Sequence, residues 1–158
     1  MVSRAKQQKT NEHSANQVNE LRTEQWVQFM FGAGYEESKR SAGEAIVAEA
    51  FDVVKAWGLG WEQAEVLAGI SPLPKRPAEI SARISLMVAI RKEMEIAFGQ
   101  PWADEVMRLP SNGLLFKRIS PVNYLLREDW PGMFFVFLQA RAWASEYQNV
   151  RGLKCVLL

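Results

Sequence analysis

The sequence is poor in the residues from which most catalytic and metal sites are built. Its 158 residues include one cysteine, Cys155, and one histidine, His13. A single cysteine excludes an internal disulfide, and a lone histidine in a polar stretch gives the usual hydrolase triads no base. Cysteine, histidine and carboxylate residues are not clustered as metal ions require. We therefore expect a protein that is not an enzyme, binds no metal and carries no cofactor.

Long hydrophobic runs and an excess of one charge are also lacking. The longest apolar run, Met133 to Leu138, has six residues, far fewer than the roughly 18 of a membrane span. The N-terminal stretch lacks the apolar region of a secretory signal. The formal net charge is +1, so no overall field favours nucleic acid or a membrane. These absences predict a cytoplasmic protein with no membrane partner.

What is present is the balance of a globular domain, with 48% hydrophobic and 23% charged residues. Residues 1–22 are polar and are expected to be disordered. Trp26, Phe29 and Met30 then recur at helical spacing and predict a short first helix, which begins at about Thr23 and ends before residue 32.

A second helix is expected from 42 to about 58. Ser41 and Glu44 have the spacing of a capping box, and apolar residues then recur every three or four positions. The apolar face consists of Ile46, Ala50, Val53, Val54 and Trp57. A third, short helix is predicted over 61–68, with Gly69 at its end.

Three prolines, Pro72, Pro74 and Pro77, exclude a helix through 71–76 because proline lacks an amide donor and disfavours helix in the residue before it. Pro77 suits the first turn of the next helix, which is the clearest amphipathic segment of the chain. Its predicted buried residues are Ile80, Ile84, Met87, Ile90, Met94 and Phe98.

Two shorter elements follow. Pro101 is expected to open a helix in which Trp102, Val106 and Leu109 face inward. A loop over 109–119 then leads to an N-cap serine and a first-turn proline, which predict a helix over about 121–126.

Asp129 is expected to cap a last helix over 130–147, followed by a short tail over 148–158. Phe134, Phe137 and Leu138 are predicted to be buried in that helix. No segment shows convincing strand alternation. The sequence therefore predicts an all-α protein, a bundle of about six helices.

The stretch AWGLGWEQAEVLAGIS, residues 56–71, has the character of the first helix and turn of a helix-turn-helix. The second helix of such a motif reads the major groove, but here its place is taken by the proline-rich segment. Lys75 and Arg76 could contact phosphates, although two charges give only weak, sequence-blind binding. The N-terminal half thus reads as a degenerate helix-turn-helix, and DNA binding is left open.

The stretches AFGQPWADEVMRLPSN, residues 97–112, and KRISPVNYLL, residues 117–126, resemble the toxin-binding domain of the MbcA/ParS/Xre antitoxin family. The motif positions are Phe98, Gly99, Pro101, Pro110, Asn112, Ser120, Pro121 and Leu125. Residues 56–71 resemble the Xre-like helical region that precedes this domain. The resemblance covers about residues 43–143 and divides the chain into an Xre-like region, 23–76, and a toxin-binding domain, 77–147.

Three departures from the family pattern stand out. The recognition helix is absent. Val122 stands where leucine is usual. The Gly-Gly of the family's loop is replaced around Phe116 and Lys117, which is expected to alter the loop backbone and the choice of toxin.

The resemblance implies an antitoxin that binds a RES-domain toxin, which consumes NAD, and blocks entry to its NAD pocket, partly through the C-terminal segment. The chain itself would bind no NAD and is expected to self-associate. The alternatives are an Xre-type transcription regulator with a shortened recognition helix and a non-catalytic adaptor. Trp130 is a further candidate anchor, with packing of the last helix as its alternative role, as for Trp143. The predicted toxin-binding residues are Phe116, Lys117, Arg118, Tyr124, Trp143, Arg151 and Lys154.

Overall fold

The computed structural model describes residues 2–32, 34–112 and 115–156, with side chains described for residues 15–149 of these ranges. The described residues are helical and turn segments with no strand, which confirms the all-α prediction. The helices are α1 (Val2–Phe31), α2 (Glu37–Ala56), α3 (Trp61–Ala68), α4 (Pro77–Phe98), α5 (Trp102–Arg108) and α6 (Pro121–Val156). One continuous core runs from α1 to α6, so the two predicted regions share their buried residues.

The first helix is much longer than expected. Residues 2–22, predicted to be disordered, continue α1 toward the N-terminus. No glycine or proline interrupts residues 2–31, and the segment is rich in good helix formers. Its packed end anchors it: Trp26 is fully buried and meets Phe51 edge to face at 5.0 Å. A helix held at one end can propagate through exposed residues, which composition alone does not reveal.

The start of α2 also differs from the prediction. The helix begins at Glu37, and Ser41 and Glu44 lie inside it rather than forming a capping box. The Glu44 carboxylate accepts a hydrogen bond from Arg40 Nε at 2.9 Å, a pairing one helical turn apart that favours the helix over the cap. Gly43 lets α1 approach closely, because a Cβ there would lie 2.5 Å from Phe31 Cε2.

The segment from α3 to α4 follows the sequence prediction closely. α3 ends at Gly69, whose φ of 76° is the left-handed conformation of a C-terminal glycine cap. Residues 71–76 are non-helical, and Pro77 occupies the first turn of α4. The proline-rich segment therefore interrupts the helices as predicted.

α4 lies at the centre of the bundle and packs against all five other helices. The residues predicted to face the core are buried, with one exception. Phe98 is 38% exposed and rests edge to face against Trp143 at a centroid distance of 5.5 Å. The prediction that Phe98 is buried was wrong, because Ala97 is the buried residue of the last turn of α4.

A buried arginine on α4 joins three helices. Arg83 is 1% exposed, and its guanidinium donates to Glu79 Oε1 at 2.8 Å, to Asp129 Oδ1 at 2.6 Å and to the Leu67 carbonyl at 3.4 Å. Burial alone lowers the pKa of Arg83, but the hydrogen bonds to Asp129 and Glu79 outweigh it and the pKa is raised. The group therefore stays charged and ties α3 and α6 to α4.

The inward face of α5 is rotated relative to the prediction. Trp102 is 64% exposed and Leu109 is 50% exposed, while Ala103 and Met107 are fully buried. Val106, the third predicted residue, is partly buried. A seven-residue helix has room for only one short buried stripe, and here its small and flexible side chains fill it.

The two predicted C-terminal helices are present as two segments of α6 that meet at Asp129. Ser120 caps α6 as expected, since its Oγ accepts a hydrogen bond from the Asn123 amide at 3.2 Å. The helix is kinked at Asp129, whose φ of 55° and ψ of −144° are non-helical. Beyond the kink the helical backbone runs through the predicted tail to Val156. We call residues 130–156 the arm of α6.

The arm buries a different stripe from the one predicted. Met133, Val136, Ala140 and Ala144 are buried. Phe134 and Leu138, predicted to be buried, are about half exposed, and Phe137 is only partly buried. The small alanines allow close packing against the bundle, which rotates the larger rings outward.

Candidate protein-binding surface

Between α5 and α6, the described loop residues 109–112 and 115–119 are joined by backbone hydrogen bonds. The Ser111 amide donates to the Ile119 carbonyl at 3.1 Å, and the Arg118 amide donates back to the Ser111 carbonyl at 3.0 Å. The Ile119 amide donates to the Phe116 carbonyl at 3.0 Å. We call residues 115–119 of this loop the cationic loop, because Lys117 and Arg118 project from it.

Phe116 and Tyr124, predicted as toxin-binding anchors, belong to the core instead. Phe116 is 1% exposed and Tyr124 is 9% exposed. Their rings meet edge to face at 5.5 Å, and Phe116 lies 6.3 Å from the Trp143 ring. This burial contradicts the prediction that the two rings are exposed anchors. Their role is to fix the loop from beneath.

Lys117 and Arg118 are exposed, and both have positive φ, at 48° and 71°. Residues with a Cβ rarely adopt this left-handed conformation, which costs roughly 1–2 kcal/mol each. Two consecutive residues thus adopt a backbone conformation that glycine ordinarily occupies, while they carry long cationic side chains. Strained residues of this kind cluster at functional sites.

Neither cation of the loop is neutralised within the described part of the chain. Salt bridges join other arginines and lysines to carboxylates, but Lys117 and Arg118 form none there. The loop therefore presents two uncommitted positive charges at fixed positions. This arrangement can bind an acidic surface.

The two predicted tryptophan anchors are partly buried and take part in packing. Trp130 lies 5.4 Å from the Arg83 guanidinium, and Trp143 packs between Phe98 and Phe116. Trp143 thereby connects the arm of α6 to the cationic loop. Arg151 and Lys154 lie on the helical backbone of the arm, but their side chains fall outside the described residues.

The motif residues occupy structurally distinct positions. Gly99 ends α4 with a φ of 71°, Leu125 is fully buried, and Pro121 begins α6. Pro110 and Asn112 are exposed on the loop next to the cationic segment. The motif thus consists of helix ends and packing positions that shape the loop.

The segment before α4 and the first turns of α4 offer few side chains that could read bases in a DNA groove. Lys75 and Arg76 are exposed in the segment before α4. The exposed positions on the first turns of α4 beyond Pro77 are Ala78, Ala82 and Ser85, which offer neither positive charge nor long hydrogen-bonding side chains. Base readout depends on such side chains, so this geometry favours protein over DNA as a partner.

No cluster of three or more histidine, cysteine or carboxylate side chains is placed to hold a metal within the described residues. No described helix has the length and hydropathy of a membrane span. Searches against protein-family models, curated proteins and solved structures give no match. The antitoxin resemblance therefore rests on the sequence motifs.

One surface was missed by the sequence reasoning. Phe134, Phe135 and Leu138 are between 46% and 52% exposed on the outer side of the arm. The spacing of Met133, Val136, Ala140 and Ala144, which is also helical, was the available signal. This spacing was overlooked because a buried face is ordinarily assigned to the larger apolar residues before the smaller ones.

Proposed function

We propose that this chain is an antitoxin that acts in the cytoplasm, binds a RES-domain toxin and prevents NAD from entering the toxin's pocket. The observation that carries the proposal is the cationic loop, in which Lys117 and Arg118 are held in left-handed backbone geometry and exposed. The motif resemblance supplies the class of partner, and the loop supplies a prepared contact surface at the matching place.

The loop is suited to binding because its shape is set before a partner arrives. Backbone hydrogen bonds at Ser111 and Ile119 close it, and the buried Phe116 ring fixes its inner side. A preformed loop loses less conformational entropy on binding than a flexible one. Left-handed strain at Lys117 and Arg118 offers no benefit to the isolated fold, since glycine would fit the same backbone more easily.

The charges point to an acidic contact surface on the toxin. Arginine is enriched at the energetic centres of interfaces, and opposite charges across an interface speed association and fix orientation. Because Trp143 packs against Phe116 at 6.3 Å, the loop and the arm of α6 share one rigid support. Arg151 and Lys154, farther along the arm, extend the proposed contact toward the NAD pocket.

The test is co-expression of this chain with a RES-domain toxin encoded beside its gene, with cellular NAD and growth as readouts. The wild-type chain is expected to preserve both. The double variant Lys117→Gly, Arg118→Gly removes both charges while allowing the observed backbone, so its melting temperature should be unchanged or higher. It is expected to lose most of the protection.

A matched control removes two exposed lysines elsewhere, Lys39→Ala and Lys55→Ala on α2, and should keep full protection. Full protection by the double glycine variant would exclude the cationic loop as the contact. Failure of the wild-type chain to bind or neutralise the toxin would exclude the antitoxin function itself.

A further inference from the structure

One asparagine lies next to the cationic loop and has a glycine after it in the sequence. Asn112 is followed by Gly113, and no other asparagine of the chain precedes a glycine. Asn112 is exposed in a stretch without helical structure. Among the residues that the structure describes, no hydrogen bond restrains its carboxamide. Asn112 therefore combines an unrestrained side chain with the least hindered neighbour that a residue can have.

An asparagine in this setting can react with its own backbone. The side-chain carbonyl carbon, Cγ, is an electrophile, and the backbone nitrogen of the next residue can reach it to close a five-membered ring. A Cβ on that next residue crowds the approach, and glycine has none. In a helix the same nitrogen is engaged in backbone hydrogen bonding, so exposed asparagines outside helices are the reactive ones. The reaction requires two properties of residue 113 that the sequence fixes, a backbone N–H and the absence of a side chain.

We propose that Asn112 is a site of spontaneous deamidation, which converts its neutral amide into a carboxylate beside Lys117 and Arg118. In the first step the Gly113 nitrogen bonds to Asn112 Cγ, and the bond from Cγ to Nδ2 breaks. Nδ2 leaves as ammonia and takes the proton that the Gly113 nitrogen gives up. The product of this step is a cyclic imide that joins the two residues.

Water completes the conversion by opening the imide. Attack at Cγ breaks its bond to the Gly113 nitrogen and gives aspartate on an unchanged main chain. Attack at the main-chain carbonyl carbon breaks the other bond to that nitrogen and gives isoaspartate, which adds one methylene to the main chain. In both cases the nitrogen recovers a proton, and the new carboxyl group is ionised at neutral pH. The reaction consumes one water molecule and requires no oxidant or reductant.

The new charge forms next to the two cations of the loop. The Ser111 carbonyl oxygen accepts a hydrogen bond from the Arg118 amide at 3.0 Å, and the carbon of that carbonyl is bonded to the Asn112 nitrogen. Position 112 is therefore one covalent bond from the backbone contact that fixes Arg118. A carboxylate at this position lowers the charge of the loop from two positive charges to one. The formal net charge of the chain falls from +1 to zero.

The consequence for binding rests on the proposed function, whereas the deamidation itself does not. Opposite charges across an interface raise the rate of association, so halving the charge of the loop is expected to slow association with the toxin severalfold. The difference should shrink at high salt, because salt screens exposed charges. Since the reaction needs no partner, its extent increases with the age of each molecule, and older molecules are expected to bind the toxin less well.

The first experiment follows the purified full chain by peptide mass spectrometry during incubation at mildly alkaline pH. Trypsin cleavage after Arg108 and Lys117 places Asn112 and Asn123 on separate peptides. The Asn112 peptide is expected to gain about one dalton, the difference between an amide and a carboxylic acid, and to yield both aspartate and isoaspartate. Asn123 is the internal control, because it lies in α6, donates its backbone N–H to Ser120 Oγ at 3.2 Å and is followed by tyrosine. Its peptide is expected to keep its mass.

Two variants test the chemical route. Gly113→Ala places a methyl group beside the attacking nitrogen and should slow the mass gain severalfold. Asn112→Gln keeps a neutral amide but lengthens the side chain, so closure would need a larger ring, and the mass of its peptide should stay constant. A wild type without a mass gain at Asn112 would overturn the proposal. An equal gain at Asn123, or an unchanged rate in Gly113→Ala, would overturn it as well.

The second experiment measures the rate of association with the toxin for fresh and incubated wild type and for two substitutions at position 112. Asn112→Gln should associate like the fresh wild type, whereas Asn112→Asp and the incubated chain should associate more slowly. Asn19→Asp is the matched control. It adds the same charge at an exposed position of α1, whose main neighbours are α2 and α4, and it should associate like the fresh wild type.

The outcomes separate this inference from the proposed function. A fresh wild type that does not bind the toxin would exclude the antitoxin function, and the mass measurement then decides the deamidation by itself. Normal association of Asn112→Asp would show that the new carboxylate does not act on the interface, which overturns the link to binding. Equal slowing by Asn19→Asp would overturn it too, because the net charge and not the position in the loop would then control association.

Discussion

α4 and the arm of α6 are both long helices rich in apolar residues, yet they bury them very differently. α4 buries residues on several sides, including Arg83, and leaves mainly small or charged side chains in water. The arm buries a single stripe and exposes Phe134 and Phe135. The two helices therefore differ in their surroundings more than in their apolar content.

The difference follows from the number of neighbouring helices. α4 packs against every other helix of the bundle, whereas the main neighbours of α6 are α3, α4 and α5. A helix surrounded by others can bury a wide face, while one at the edge buries only the stripe that reaches the core. Apolar residues left over at the edge are then available to a partner.

The sharpest comparison is one truncation on each helix. Ile84→Ala is expected to lower the free energy of unfolding by about 2–5 kcal/mol, because the side chain is fully buried and a cavity remains. Phe134→Ala removes a larger side chain but should cost less than about 1 kcal/mol in the monomer, because the ring is half in water. Urea unfolding at low protein concentration measures both. Equal losses would mean that the arm is buried as deeply as α4.

A second comparison concerns two arginines of α4. Arg83→Met is expected to lower the free energy of unfolding by about 2–3 kcal/mol. This is less than the cost of leaving a charge buried alone, because the carboxylates of Glu79 and Asp129 remain in contact with water. The matched variant is Arg91→Met, which breaks two 3.1 Å hydrogen bonds to Asp104. It should cost less, since Arg91 is a quarter exposed. If Arg91→Met is the more damaging, Arg83 does not hold the helices together.

The parts of the fold that sequence predicts well are those fixed by local chemistry. Pro77 at the start of α4, Gly69 after α3 and the Ser120 cap of α6 lie where backbone restrictions place them. Each acts within a few residues of its own position, so no knowledge of distant packing is needed. The buried face of α4 is also predictable from sequence. Because that face is wide, a small error in its assumed angular position around the helix still selects buried residues.

The remaining errors arise where distant contacts decide. Phe116 and Tyr124 looked like surface anchors because aromatic residues are common at interfaces, but the two rings pack against each other and Phe116 also packs against Trp143. The positive φ of Lys117 and Arg118 has no local residue signal, because glycine or asparagine ordinarily marks such positions. Burial thus argues against Phe116 and Tyr124 as contact residues, while Lys117 and Arg118 stay predicted contacts on the same loop.

Phe98 offers an intermediate case between a core ring and a surface ring. Since it is 38% exposed and keeps one edge-to-face contact with Trp143, Phe98→Ala is expected to cost about 1–2 kcal/mol, below the 3–5 kcal/mol of a buried phenylalanine. Thermal or urea unfolding measures the change. A loss of the full buried value would place the ring in the core, and no loss would show that the contact with Trp143 contributes nothing.

The smallest expected effect tests the kink of α6, where the hydrogen bond from Arg83 lowers the pKa of Asp129. A lowered pKa in the folded state means that the carboxylate stabilises the fold above the unfolded pKa of about 3.9 and loses this contribution as the pH falls through the folded value. Asp129→Asn keeps a residue that tolerates positive φ but removes the charge. Its deficit should be below about 1 kcal/mol at neutral pH, because the side chain is 60% exposed, and should vanish in strong acid. A deficit that is the same at both pH values would show that the ion pair does not stabilise the kink.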